Sequence, residues 1–415
     1  MKVTGIIAEY NPFHNGHKYH MEKSRELTGA DFVVVVMSGN YVQRGLPAVI
    51  DKYERTKMAL ECGADLVLEL PLPYATASAE YFATGAVSLL HKLGVVDSLC
   101  FGSECGDASL LLKVAKLLVT EPLPYKETLQ KYLVQGLSFP SAQEAAVFAC
   151  TDNGTAALLS SPNNRLGIEY CKALLRMESN ITPVSILRRG GGYHDETLYS
   201  DASTPSSASA IRKAMENAKC PDDILSQVPQ PVAGILQKEW NKSFPVTEND
   251  LSLLLHYKLL LETKESLQTY FDVTPDFADK ILKCLPEYTT FSNFCLLLKS
   301  KELTYSRISR CLLHILLDIK TAHIENYRSL EITPYARILG FRKESSELLH
   351  EIKTRASIPM ISKLADAHKI LEPAALEMLQ REITAGHIYE AVKANKFMYS
   401  AIIPQSEYTR EIIIV

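Results

Sequence analysis

A formal net charge of −4, from 44 Lys and Arg against 48 Asp and Glu, leaves the 415-residue chain without a global basic field. A nucleic-acid partner would have to meet a local patch rather than the molecule as a whole. Long apolar runs are also missing. The longest, such as 32–37, fall far short of the ~18 residues that read as a membrane-spanning helix. Met1 leads almost directly into strand-like residues, with no apolar leader or cleavage site. The expectation is a soluble, cytoplasmic chain with no membrane partner. The nine cysteines are scattered from Cys62 to Cys311 and odd in number, which argues against a disulfide framework. Cys100 and Cys105 have no second pair or Cys-His cluster to complete a tetrahedral zinc site. No protein-held metal is expected, and the thiols read as buried and free. No Ser-His-Asp or Cys-His arrangement is recognisable by spacing, and internal repeats and low-complexity tracts are absent. Nothing in the sequence points to a protein partner.

What is present is ordinary globular material, 47% hydrophobic and 22% charged, in a chain long enough for two or three domains. The first 200 residues alternate short Val-, Ile- and Leu-rich runs at 3–8, 32–37, 66–70, 99–102 and 183–187 with helical patterns at about 16–27, 51–62, 78–93 and 164–177. That alternation predicts an α/β, Rossmann-like, doubly wound parallel sheet with its ligand at the carboxyl ends of the strands. Residues 188–206 read as a loop, and a helix starts near Ser207. Pro221, Pro229 and Pro231 mark a junction. A mainly helical stretch follows, at 249–262, 276–284, 291–299 and 305–320. A small α/β piece then has strands at 335–339 and 358–361 around a helix at 344–354. The resulting divisions are 1–225, 226–330 and 331–415.

The chemistry concentrates at a strand-to-helix turn, Glu9-Tyr10-Asn11-Pro12-Phe13-His14-Asn15-Gly16-His17. Gly16 lets the backbone approach a phosphate, and the helix start offers free N–H groups to it. His14 and His17, one turn apart, can donate hydrogen bonds to phosphate oxygens as charge builds in a transition state. They are the expected catalytic residues. Ser207, Ser209 and Arg212, at a second loop-to-helix boundary, form a possible second phosphate cradle. Arg44, after the second strand, is a candidate for a substrate carboxylate or for RNA. Asp65 and Glu69 read as a cap or a core-edge salt bridge. Within 337–369, Arg337, Arg342, Lys343, Lys353, Arg355, Lys363 and Lys369 outnumber four acids. This stretch could track phosphates, with Tyr335 and Phe341 available for stacking.

The His14–His17 pair with Ser207–Arg212 resembles the HxGH and ISSTxIR-like signatures of the nucleotidyltransferase superfamily, the second only loosely. No KMSKS run accompanies it. Further runs, Met37–Ala48, Phe101-Gly102-Ser103-Glu104, Ser161-Pro162-Asn163-Asn164, Leu187-Arg188-Arg189 and Pro334–Phe341, extend a resemblance to the bacterial tRNA(Met) cytidine acetate ligase family over nearly the whole chain. The resemblance implies that acetate attacks the α-phosphate of ATP to give acetyl-adenylate. The acetyl group then passes to N4 of the wobble cytidine of elongator tRNA(Met). It also implies that ATP lies along Ile7, Ala8, Glu9, Tyr10, Asn11, Pro12, Phe13, His14, Asn15, Gly16, His17, Lys18, Tyr19 and His20. Gly102, Asn163, Arg188 and Arg189 would add contacts, and Mg2+ would accompany the nucleotide. The tRNA and acetate contacts are expected from Arg44, Arg337, Arg342 and Lys343. Two other readings share the motifs: a small-metabolite adenylyltransferase with a helical appendage, and an ATP-binding scaffold without catalysis. The large C-terminal half weighs against the first, and the intact His14 and His17 against the second.

Overall fold

Apolar residues fill both faces of the second predicted strand, as expected for a strand covered on both sides. In the computed structural model Val34 and Val36 enter one core with Leu66 and Leu68, while Val33, Val35 and Met37 enter another with Ile6 and Val67. The structure describes residues 1–151, 153–188, 198, 206–218, 220–397 and 406–415. Its strands are β1 (Val3–Ala8), β2 (Phe32–Ser38), β3 (Tyr41–Val42), β4 (Leu46–Pro47), β5 (Leu66–Leu70), β6 (Ser98–Ser103), β7 (Thr182–Leu187), β8 (Ala336–Phe341), β9 (Met360–Ile361) and β10 (Ile413–Ile414). The main sheet runs β10-β8-β5-β2-β1-β6-β7, with β9 beside β8, and β3 and β4 form a separate hairpin.

β1 pairs in parallel with β2 on one side and β6 on the other. The chain leaves β1 toward β2 and β5, then crosses back to β6 and β7. The crevice at the carboxyl ends of β1 and β6 is therefore the topological switch point, where doubly wound sheets hold ligands. The helix α1 (Asn15–Thr28) starts there.

The strand expected at 335–339 is not part of a separate α/β piece. It forms β8, antiparallel to β5, with a register shift at Val67/Leu68, and β10 adds in parallel outside it. The sequence pattern does not mark the 24-residue helix Pro373–Lys396. Its buried side includes Glu382, Glu390 and Lys393, which interrupt the apolar periodicity by which such helices are read. Helices between 230 and 329 include Tyr305–Leu316, whose Ile308, Leu312 and Ile315 join the same core as Val34.

No described helix is long and apolar enough to cross a membrane. All nine cysteines are free; Cys62, Cys100, Cys171, Cys295 and Cys311 are buried, whereas Cys220 is exposed.

Candidate active site

The turn between β1 and α1 is held from three directions. Asn11 Oδ1 accepts the Val49 N–H at 2.9 Å, and Arg212 Nη1 donates to the Asn11 carbonyl at 2.8 Å. The buried Arg55 guanidinium donates to the carbonyls of Glu9 (2.6 Å), Ser38 (3.0 Å), Ile50 (2.8 Å) and Gly39. One side chain thus ties together the ends of β1 and β2, charge-assisted throughout. With the turn fixed, the start of α1 is fixed as well.

His14 is the N-cap of α1. Its Nδ1 accepts the Gly16 N–H at 3.0 Å, and Nδ1 of His17 accepts the His14 N–H at 3.3 Å. The rings stack with centroids 3.8 Å apart and 28° between planes. Burial, then the charges of Arg188 and Arg212, push His14 down to about 3. Burial and neighbouring His14 hold His17 well below its ordinary range. Both rings are therefore neutral near pH 7. Because each Nδ1 accepts, the proton sits on Nε2. The cap geometry thus leaves two N–H donors side by side on neutral rings.

A cavity of about 470 Å3 opens at this point. Ile7, Ala8, Glu9, Tyr10, His14, Gly16, His17, Tyr19, His20, Gly102, Asn163, Arg188, Ser207, Ser209 and Arg44 all line it. Of the other residues of 7–20, Asn11, Pro12, Phe13 and Asn15 build or support the turn, and Lys18 lies on the exposed face of α1. Phe13 is buried in the core, Asn15 donates to the Ser226 carbonyl at 2.9 Å, and exposed Lys18 pairs with Glu22 at 3.7 Å. Pro12 follows Asn11 through a cis peptide bond. Arg189 lies outside the described residues.

On the far wall, Glu104 follows β6 and caps the helix Pro162–Arg176. Its carboxylate accepts the backbone N–H groups of Asn163 (3.2 Å) and Asn164 (2.7 Å) and the Asn163 side chain (2.7 Å). Asn163 Oδ1 in turn accepts from Arg188 Nη1 at 3.2 Å. Gly102 leaves room for this arrangement, because a Cβ there would stand 3.2 Å from Cγ of Arg188. In sequence Glu104 is only one residue of the run Phe101-Gly102-Ser103-Glu104, and nothing local marks it as the anchor of this wall.

On the near wall, Ser207 Oγ caps the helix Ala208–Asn217 by accepting the Ala210 N–H at 3.0 Å. Ser209 Oγ accepts from both Arg44 Nη1 (3.2 Å) and Arg212 Nη2 (3.1 Å). The second predicted cradle therefore faces the same cavity as the histidines. Ser306 and Arg310, from Tyr305–Leu316, also line it. They lie some three hundred residues from His14, and no local motif marks them.

Arg337 is a correction. It was expected on an RNA-facing surface, but only 3% of it is exposed. It pairs with Glu69 at 2.8 Å and Glu407 at 2.6 Å, and Lys52 pairs with the same two carboxylates at 2.9 Å each. Tyr335, expected to stack on bases, is fully buried with its hydroxyl on Glu382. Desolvating two carboxylates draws in two cations, and β8 at the sheet supplies one of them. Arg342 and Lys343 follow β8 on the outside, with Arg342 near Glu344 at 3.7 Å and Lys343 exposed. They lie apart from the cavity. No group of three or more His, Cys, Asp or Glu side chains able to hold a metal occurs among the described residues.

Known proteins resemble this chain over its whole length. The HIGH Nucleotidyl Transferase family matches residues 1–401. The tRNA(Met) cytidine acetate ligase of Acetivibrio thermocellus is 40% identical over 421 residues, covering all of both chains. That of Clostridium acetobutylicum is 40% identical over 423 residues, again covering both completely. Thermotoga maritima TmcAL superposes over the full length with a TM-score of 0.93 in its apo form I and 0.91 bound with alpha-thio ATP, at 31% identity in each case. The chain belongs to the HIGH nucleotidyltransferase family and, within it, to the tRNA(Met) cytidine acetate ligases.

Proposed function

We propose that the cavity binds ATP, that acetate is activated there as acetyl-adenylate, and that the acetyl group passes to N4 of the wobble cytidine of elongator tRNA(Met). The observation that carries this reading is the pair of Nε2–H donors on neutral, stacked His14 and His17 at the switch point. Arg188 and the Ser207–Arg212 cradle face them across one cavity. The full-length relatives named tRNA(Met) cytidine acetate ligase, and the relative bound with alpha-thio ATP, support the choice of reaction and nucleotide.

In the first step an acetate oxygen attacks the α-phosphorus, and the bond to the β-phosphate oxygen breaks to release pyrophosphate. His14 and His17 donate to oxygens that gain charge as this happens. Being neutral, they do so without first losing an ion pair to the protein. Arg188 and Arg212 supply positive charge, and Ser209, already accepting from two guanidinium groups, directs its own proton outward. In the second step the cytidine amine attacks the acetyl carbonyl, loses a proton, and AMP leaves. Mg2+ would neutralise the triphosphate as the nucleotide's own counterion. The tRNA contact is assigned to the exposed side around Arg342 and Lys343, and the working compartment to the cytoplasm.

Acetate-dependent exchange of labelled pyrophosphate into ATP tests the first step. Exchange is expected without tRNA and without coenzyme A. Exchange that needs acetyl-CoA, or adenylyl transfer to a small mononucleotide or phosphopantetheine instead, would remove the proposal.

A further inference from the structure

The helical stretch contributes directly to the cavity. Gly45 sits in the left-handed region at φ +76°, and a side chain there would collide with the backbone of Ser309 and Arg310. Ser309 Oγ donates to the Gly45 carbonyl at 2.9 Å. The helix Tyr305–Leu316 is thereby seated on the β3–β4 hairpin, and it brings Arg310 to the cavity wall beside Gln43 and Arg44.

Arg310 lacks a paired anion among the described residues. Its Nε is buried and without a hydrogen-bond partner, and no ion pair reaches it among the described residues. Asp272, the carboxylate that acts on it electrostatically, stands 3.5 Å from Arg307. Arg310 is half-buried, and a buried Nε–H without an acceptor is costly, so a working complex is expected to supply one. What lies next to it identifies the anion. Arg44 bonds Ser209, and Ser209 bonds Arg212, in a chain that leads back to the helix start at Ser207. Clustered guanidinium groups running from a helix N-terminus suit successive phosphates, each able to accept a planar fork, better than a single carboxylate.

We propose that Arg310 binds the terminal phosphates of ATP and the departing pyrophosphate, so that the helical stretch completes the nucleotide site. The proposal rests on the reading of the cavity as an ATP site. In this arrangement the segment after residue 226 does more than carry RNA, because adenylation needs it even when no tRNA is present.

The test is equilibrium binding of ATP and of AMP to the full chain, as wild type, Arg310→Gln and Arg310→Lys. Arg310→Gln should weaken ATP by about tenfold or more, the loss of a charge-assisted contact, and leave AMP within about twofold. Arg310→Lys keeps the charge but not the fork and should fall between. It serves as the decisive variant if the Gln form does not fold. Equal weakening of ATP and AMP would overturn the assignment, as would no change in either. A rise confined to the KM for acetate or for tRNA would overturn it too, by moving the anion elsewhere. Wild-type protein that binds neither nucleotide would instead remove the ATP reading, and this assignment with it.

Discussion

Replacing Arg337 with Gln should destabilise the protein rather than weaken its grip on RNA. The side chain balances a buried set of two cations and two carboxylates, Lys52 and Arg337 against Glu69 and Glu407. It also donates to Tyr53 Oη at 3.1 Å. Without it, one negative charge is left uncompensated in the core, a change that costs about 3–5 kcal/mol when a buried pair is broken. Glu407 gives a second route to the magnitude. Burial pushes its carboxyl up, but Lys52 and Arg337 outweigh burial and hold it at about 2, against an ordinary 4.5. That net depression, left after burial is offset, corresponds to roughly 3 kcal/mol. The folded value lies below the unfolded one. This stabilisation is therefore present above about pH 4.5 and is lost as pH falls toward 2. Urea unfolding of wild type and Arg337→Gln from pH 7 to pH 3 should show the widest gap at neutral pH and a narrowing gap below pH 4.5. Wild-type stability at pH 7 combined with weakened tRNA binding would refute the reasoning and return Arg337 to the surface.

Three other outcomes follow from the same geometry. His17→Ala removes one Nε2–H donor and should slow acetate-dependent pyrophosphate exchange by ~10²-fold or more while circular dichroism stays native; unchanged exchange would remove His17 from the chemistry. Glu382 is pushed up to about 8 by burial and by Glu69, so its contribution to stability is full below about pH 4.5 and declines as pH rises through 8. Glu382→Gln, locked in a neutral form, should therefore gain on wild type between pH 5 and pH 9 in thermal melts, and parallel pH profiles would contradict this. Charge reversal at Arg342 and Lys343 should weaken tRNA binding and flatten its salt dependence by a slope of roughly 0.7–0.9 per lost contact. Pyrophosphate exchange should be spared, and its loss with intact RNA binding would place these residues at the adenylation site.

The parts of the fold legible in sequence are those whose signals are local. β1, β2, β5 and β6 read as apolar runs because a parallel strand is buried on both faces, and the edge strand β7 reads from Val184, Ile186 and Leu187 although only Ile186 is buried. The start of α1 reads from His14 to His17 because capping and phosphate binding use neighbouring residues. Long-range pairing leaves no such trace. Arg337 counts as a surface charge in any local window, since its partners Glu69 and Glu407 lie 268 and 70 residues away. The helix Pro373–Lys396 was obscured for the same reason: Lys393 is buried against Asp51, far upstream, at 3.2 Å. β8 reads as a strand, but nothing in its own sequence says that its neighbour is β5. Arg310 reaches the cavity only because Gly45 lets a distant helix settle on the hairpin.

The atom that receives the acetyl group distinguishes this reaction from every other use of the same cavity. Purified protein, labelled acetate, ATP and total tRNA should be incubated without acetyl-CoA, and the RNA digested to nucleosides. Label is expected in N4-acetylcytidine, from the wobble position of elongator tRNA(Met), and to vanish when ATP is omitted. Label in another nucleoside, or none in RNA while ATP is consumed, would contradict the account.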